Sequence, residues 1–411
     1  MEFRPMSDAA SSAPRVALLA TLDTKSAEAQ YVAQQLASRG VRPVIVDMSL
    51  RGESPDIADV PRSALMARGA TSATGDDRTG AMETTATAAR GLLSEWLADG
   101  AVDGALGIGG GTGGWMSNRA FESLPFGFPK LVVTTVVKST GEDDILLLPS
   151  VVDVAGTNAL LRTVLRNAAG AMAGMVQSVA ETTEPRPAIA MTMFGVTTAG
   201  GDVARAALEA AGYDVVVFHA TGAGGRTMER LTREGRFAGI LDWTTTELVQ
   251  NIAGGLCDAG ESRLSAATEA GIPQVVVPGA IDVINVMPPI PDAFAARAHH
   301  WHLPTVPLIR STAEESTRVG RWVAERLAAS PAPAAVMIPA KGYSSLDVEG
   351  GPFADPDADT AFEEAVREHA PDAVSVTTVP AHINDPDFAR EAAQRLLSLI
   401  DAANAAPTPK E

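Results

Sequence analysis

The sequence predicts an α/β protein of two domains, each a mostly parallel sheet with helices on its faces. Three observations carry that reading. Short runs of Val, Ile, Leu and Ala alternate with longer segments whose apolar residues recur at helical spacing, the pattern of strand–helix–strand units. The polar, proline-bearing stretch Glu181-Thr-Thr-Glu-Pro-Arg-Pro187 interrupts the pattern and reads as a linker. After it the pattern restarts, and LLATLDTKSAEAQYVAQQLASRGVRPVIVDM aligns with AMTMFGVTTAGGDVARAALEAAGYDVVVFHA. Each is a strand, a Thr-rich turn, a helix ending at Gly and a second strand. The repeat reads as two instances of a common βαβ opening, with an old duplication as the alternative. Both domains are therefore expected to be Rossmann-like, with sheets facing a central cleft. Their expected bounds are 14–184 and 185–405, after a disordered segment 1–13.

The elements follow in order. Arg15–Thr21 is a strand, and Lys25–Arg39 is a helix with Ala29, Val32, Ala33 and Leu36 on one face and Gly40 as its C-cap signal. Arg42–Met48 is the next strand. A helix over Gly80–Ala98, strands at Gly104–Ile108, Lys130–Val136 and Ile145–Leu148, and a long helix over Asn158–Val179 complete the first half. In the second, strands are expected at Ala188–Phe194, Tyr213–His219, Phe237–Asp242, Gln274–Val277, Val306–Ile309, Ala335–Ile338 and Val374–Val379. Asp202–Ala211 is one of the helices between them.

The 411 residues are enough for a sizeable core. Lys+Arg 32 against Asp+Glu 50 gives a net charge of −18, which argues against a general binder of nucleic-acid backbones. A local patch of donors for a small anion remains open. One cysteine, Cys257, excludes an internal disulfide framework and is expected buried in a helix-like stretch. The first residues lack the apolar core of a signal peptide, and no run of about 18 apolar residues occurs. A cytoplasmic protein without a membrane span is expected.

In the first half the strongest local feature is Gly107-Ile-Gly-Gly-Gly-Thr-Gly-Gly114, between a strand and a helix expected over Trp115–Ser123. Six glycines in eight positions exceed what a turn needs. Gly109, Gly110, Gly111, Thr112, Gly113 and Gly114 could bring backbone N–H groups and a helix dipole to a phosphate or carboxylate. The GK[ST] ending of a P-loop is missing. Thr21-Leu-Asp23-Thr24-Lys25 offers a carboxylate, hydroxyls and an ammonium at the first helix start, for phosphate or for magnesium through water. An ordinary N-cap is the alternative. Thr134, Thr135, Lys138, Ser139 and Thr140 leave a strand at the same expected sheet edge.

The second half has three Gly/Thr-rich strand exits. They carry Thr197 and Thr198; Thr221, Gly222, Gly224, Gly225, Arg226 and Glu229; and Thr244, Thr245, Thr246 and Glu247. Together they suggest an anion cradle, with Arg226 as a fork for carboxylate or phosphate. Lys341, after a later strand, could reach the cleft as a substrate-binding residue, with an ordinary surface lysine as the alternative. His299, His300 and His302 read as a surface loop between Pro291 and Pro304 rather than a metal site. His382 and Asn384 read as a turn with an N-cap.

Taken together, the motifs resemble the Tm-1-like ATP-binding proteins, the UPF0261 family. The resemblance rests on ATLDTK at 20–25, GIGGGTGG at 107–114, LPFGFPKLVVTTV at 124–136 and SVVDVAGTN at 150–158. It continues through FGVTT at 194–198, FHATGAGGRTME at 218–229, LDWTTTEL at 241–248 and GIPQVVVPGAIDVIN at 271–285. PAKGYSSLDVEGGPFADPDAD at 339–359 and HINDPDFA at 382–389 complete it. It spans residues 14–400 and implies a two-domain α/β protein that binds ATP in its N-terminal half and dimerises. The chain departs from the family pattern at Val137–Gly141 and at 286–304.

The resemblance and the two sets of turns lead to an expected ATP-dependent small-molecule enzyme, a ligase or a phosphoryl- or adenylyl-transfer enzyme. ATP, with Mg2+, would sit at the N-terminal turns, and a carboxylate or carbonyl-bearing anionic substrate at the C-terminal ones. Lys25, Lys138 and Arg226 would offset developing charge, and Glu229 or Glu247 would act as general base or metal ligand. A non-catalytic ATP-responsive protein and an ATP-independent lyase or hydrolase are the rival expectations.

Overall fold

A computed structural model describes residues 13–68, 78–137, 142–178, 186–303 and 305–405. The chain divides into two compact units, Met1–Thr182 and Thr183–Glu411.

The first unit runs β1 (Arg15–Ala20), α1 (Leu22–Ala37), β2 (Arg42–Asp47), α2 (Arg62–Met66), α3 (Arg78–Ala98), β3 (Gly104–Gly109), α4 (Gly111–Phe121), β4 (Lys130–Thr134), β5 (Leu146–Pro149) and α5 (Ala159–Gln177). Its five strands pair in parallel in the order β2-β1-β3-β4-β5. The two-residue period of a strand sorts β1 between two cores. Val16, Leu18 and Ala20 pack with α1 and α5, while Ala17 and Leu19 pack with α3 and α4. Both faces are covered, which is why the strand is apolar along its length.

The second unit runs β6 (Ala188–Met193), α6 (Thr198–Ala210), β7 (Asp214–His219), α7 (Ala223–Arg233), β8 (Gly239–Thr244), α8 (Thr246–Ala253), α9 (Ala266–Ala270), β9 (Gln274–Gly279), β10 (Val283–Asn285), β11 (His299–Leu303), β12 (Val306–Arg310), α10 (Ala313–Ala328), β13 (Ala334–Pro339), α11 (Pro356–His369), β14 (Ser375–Val379) and α12 (Pro386–Ala405). Six parallel strands take the order β14-β13-β9-β8-β6-β7. Leu241, Val275, Val277 and Met337 face α6 and α12, and Val276, Val336 and Ile338 face α8, α10 and α11. A small antiparallel sheet, β10-β12-β11, is inserted between β9 and β13.

The units share one strand order. In each, the first strand is internal, the second pairs on one side of it, the third on the other, and later strands add outward from the third. The order reverses between β1 and β3 and between β6 and β8. Ligands of open α/β sheets bind at such reversals, beyond the carboxyl ends of the strands.

Three local expectations are corrected. The helix expected from Trp115 begins at Gly111, so part of the glycine run is helical. His299 and His300 lie on β11, hydrogen-bonded to β12, rather than in a loop. Cys257 is buried, but in a turn beyond the end of α8. Among the described residues no helix is long and apolar enough to cross a membrane.

Candidate functional site

The N-terminal sheet ends in two helix starts of opposite character. At α1 the donors are already used. Asp47, buried at the end of β2, accepts from Leu22 N at 3.2 Å and from Ser49 N at 2.9 Å, and Ser49 Oγ accepts from Asp23 N at 2.9 Å. A carboxylate of the chain itself therefore occupies the place a phosphate would take. Asp23 and Thr24 project outward, hydrogen-bonded to each other at 3.3 Å, and Lys25 has a non-helical backbone (φ −123°, ψ 21°).

At α4 no side chain caps the helix start, and Gly110 stands at the N-cap position. The glycines there divide by task. A Cβ at Gly109 would lie 2.6 Å from Gly113 Cα, and one at Gly114 would lie 2.3 Å from Thr134 Oγ1. Gly107 is as crowded, 2.4 Å from Ser117 Cβ. These positions let α4 rest directly on β3 and β4. Gly110 and Gly111 are different: a Cβ at either would meet nothing closer than 3.8 Å. Packing does not require glycine at these two positions, and their backbone is left bare at the uncapped end of an eleven-residue helix.

A cavity of about 390 Å³ lies against this end, lined by Thr21, Asp23, Thr24, Arg51, Arg78 and Thr112 among others. Arg78 donates to Thr112 Oγ1 at 2.9 Å. Thr135 Oγ1 and Asp153 Oδ1 stand 3.8 and 3.9 Å from the Cβ position of Gly110. Thr134 is buried and accepts from Val136 N at 3.2 Å. Lys138, Ser139 and Thr140 lie outside the described residues. Arg51 and Arg78 escape sequence reading because they come from loop and helix-start positions with no motif of their own, and Asp153 lies in the SVVDVAGTN motif without being singled out there.

The cradle expected in the second unit is a buried polar core. Arg263, fully buried, forks onto Asp242 with two contacts of 2.6 Å and reaches Glu247 at 2.7 Å and Glu229 at 3.4 Å. Glu247 also accepts from Gly222 N at 2.7 Å and Gly225 N at 3.1 Å, so it caps α7 from within. Glu229 accepts from Leu264 N and Ala266 N at 2.7 and 2.8 Å. Burial raises both glutamates above the ordinary carboxylate range, against the pull of Arg263. Burial also pulls down the Arg263 guanidinium, but Asp242 and Glu247 hold it well above its usual value.

The turn residues serve the same core. Thr197 and Thr244 share a 2.7 Å hydrogen bond, Thr245 donates to Val277 O, and Thr246 donates to Val283 O. Thr198 donates to Phe194 O and Thr221 to His219 O. Gly222 has φ +86°, a Cβ at Gly224 would collide with His219 O, and one at Gly225 would collide with the Glu247 carboxylate. Arg226 donates to Asp258 O at 2.6 Å. The sequence pattern of an anion cradle is real; the anion it holds is Glu247.

The open space in this unit lies farther along the sheet. A cavity of about 830 Å³ sits at the carboxyl ends of β13 and β14, with Lys341, Tyr343, Asp347, Asp359 and His382 on its wall. Asp347 accepts from Tyr343 N at 2.9 Å, and Asp359 pairs with Arg310 at 2.8 Å. Buried Asp282 accepts from Ser344 Oγ at 2.6 Å through one oxygen, while its Oδ1 has no partner among the described residues. Burial, then the charge of Asp347, raise Asp282 to about 7 and Asp359 to about 8. Burial also raises Asp347. His382 Nδ1 accepts from Asn384 N at 3.1 Å, so its Nε2, 2.9 Å from Ser344 O, carries the proton. Lys341 sits exposed and makes no ion pair among the described residues.

Residues 14–181 match the N-terminal domain, and residues 186–400 the C-terminal domain, of an uncharacterised protein family, UPF0261. A UPF0261 protein of Clostridium tetani is 36% identical over 94% of this chain and 99% of its own length. One of Rhizobium meliloti is 38% identical over 92% and 97%. The tomato (Solanum lycopersicum) "ToMV susceptible protein tm-1(GCR26)" is 34% identical over 96% of this chain, which spans 57% of the tomato protein. Among solved structures, Acinetobacter baumannii MurG covers 96% of this chain and 95% of its own at 12% identity. Its TM-score of 0.21 carries no argument. Both halves match in order, and the two bacterial relatives match along nearly their whole length: the chain belongs to the UPF0261 family.

Proposed function

We propose that the protein binds ATP through its N-terminal unit, with the phosphates at the start of α4, and that it is an ATP-dependent enzyme acting on a carboxylate- or carbonyl-bearing small molecule. The observation that supports this reading is the contrast between the two helix starts. The α1 start is filled by Asp47 and Ser49, whereas α4 is uncapped, with Gly110 half-buried and Gly111 exposed at the switch between β1 and β3. Arg51 and Arg78 on the adjoining cavity wall supply positive charge for a polyphosphate. The adenosine part is carried by the family resemblance.

Asp23 and Asp153 flank the site and are the carboxylates that would hold Mg2+ beside the phosphates. Bound there, the ion would neutralise phosphate charge. Among the described residues no three His, Cys, Asp or Glu side chains form a metal cluster. Glu229 and Glu247 are left out of the chemistry, since their oxygens serve Arg263 and backbone N–H groups. The test is turnover: ADP or AMP release on addition of a carboxylic or carbonyl substrate, lost in Gly111→Asp. ATP binding without any such release would favour a nucleotide-responsive protein without chemistry.

A further inference from the structure

The loop between α8 and α9, which carries Arg263 into the buried core, is held by three side chains. Asn251 on α8 donates to Asp258 Oδ1 at 3.0 Å. On α10, the Trp322 indole donates to Arg263 O at 3.3 Å and Arg326 donates to Glu261 O at 2.5 Å. The Arg326 guanidinium also lies 5.9 Å from the centre of the Trp322 ring. These ties build the wall of a second cavity in this unit, of about 380 Å³, between α8, the loop and α10. Ile252 and Trp322 give it apolar surface, and Arg318 and Arg321 complete its α10 side.

Arg318 and Arg321 are the unusual part of that wall. Each has a glutamate four residues away on the same helix, Glu314 and Glu325. Other helices of this unit use that spacing: Arg205 pairs with Glu209, Arg230 with Glu234 and Arg367 with Glu363, at 2.7–2.8 Å. Arg318 and Arg321 make no ion pair or hydrogen bond among the described residues and line the cavity instead. Glu315, the nearest other carboxylate in sequence, is taken by Arg297 and by the cap of α10. In a chain of net charge −18, two adjacent guanidiniums without carboxylates reverse the sign locally. Three residues apart on one helix, they lie side by side, each with a planar fork of donors.

We propose that this cavity binds a small organic monocarboxylate, its carboxylate on the forks of Arg318 and Arg321 and its apolar body against Trp322 and Ile252. The charge of the wall sets the class. Arg318, Arg321 and Arg326 stand against Glu261 and Glu325, so the surplus is a single positive charge, enough for a carboxylate and short of a phosphate dianion. An ammonium would meet the guanidiniums. Because the same wall holds the loop, a bound carboxylate also ties down the segment that presents Arg263. The proposal is carried by the second unit alone and stands whether or not the first unit binds nucleotide.

Fluorine NMR of para-fluorobenzoate, titrated with the full chain, tests this. The resonance should shift or broaden saturably with the wild type. Arg318→Gln and Arg321→Gln combined should weaken binding about tenfold or more, and each alone by less. Both side chains are exposed, so the double variant should keep the wild-type Tm, and the single variants decide if it does not. para-Fluorobenzylamine should not bind, and inorganic phosphate should not displace the benzoate. No saturable binding to the wild type, undiminished binding to the arginine variants, equal binding of the amine, or displacement by phosphate would each overturn the proposal.

Discussion

Gly111 and Gly114 lie three residues apart on one helix, yet their substitutions should behave oppositely. A methyl at Gly114 drives into Thr134, a buried β-branched residue, and Gly114→Ala should cost about 1–3 kcal/mol in urea unfolding. Gly111 has room, and Gly111→Asp adds a carboxylate where a helix dipole favours one, so the folded state should be unharmed. Equal destabilisation by the two would mean that Gly111 also packs. Arg263 gives a second residue-scale test. Arg263→Met leaves three buried carboxylates without their cation and should cost about 3–5 kcal/mol, seen as lost soluble protein or a large fall in Tm. A near-neutral effect would show that the carboxylates take up protons at little cost.

At the scale of elements, the strands were legible because they are buried on both faces and read as plain apolar runs. Expected strands such as Arg15–Thr21, Lys130–Val136 and Ala335–Ile338 coincide with observed ones to within about two residues at each end. The helix starts were less legible. Glycine content delayed α4 in the reading by four residues, because propensity counts glycine against a helix that tertiary packing demands here. Two of the three strands of the small sheet, β10 and β11, were missed: VIN is too short to show a period, and HHWHL alternates no apolar face. The Thr- and Gly-rich exits of β6, β7 and β8 were found as a group, but their partner was not. Arg263 lies in a loop without a motif, and only the fold brings it to Asp242, Glu247 and Glu229. The acidic cavity went unseen although Asp282, Asp347 and Asp359 lie in the motifs at 271–285 and 339–359, because only the fold brings those two segments together. Of that site only Lys341 was read as a ligand residue.

For the whole molecule, buried carboxyl groups set the direction of pH dependence. Asp282 and Asp359 hold protons to about 7 and 8 in the folded state, whereas an unfolded carboxyl releases them near 4. The native chain therefore binds more protons than the unfolded one between those limits, and stability falls as pH rises through them. Glu229 and Glu247 shift in the same direction. Tm should decline from pH 6 to pH 9, less steeply in Asp282→Asn; a rise over that interval would contradict the assignment. Nucleotide binding to the N-terminal unit is likewise read from melting. A ligand that binds only the folded state must raise Tm. The most direct measurement is the Tm of wild type and Gly111→Asp with and without millimolar Mg-ATP. The account predicts a clear rise in the wild type that disappears in a variant as stable as the wild type without nucleotide. No rise in the wild type, or the same rise in Gly111→Asp, would contradict it.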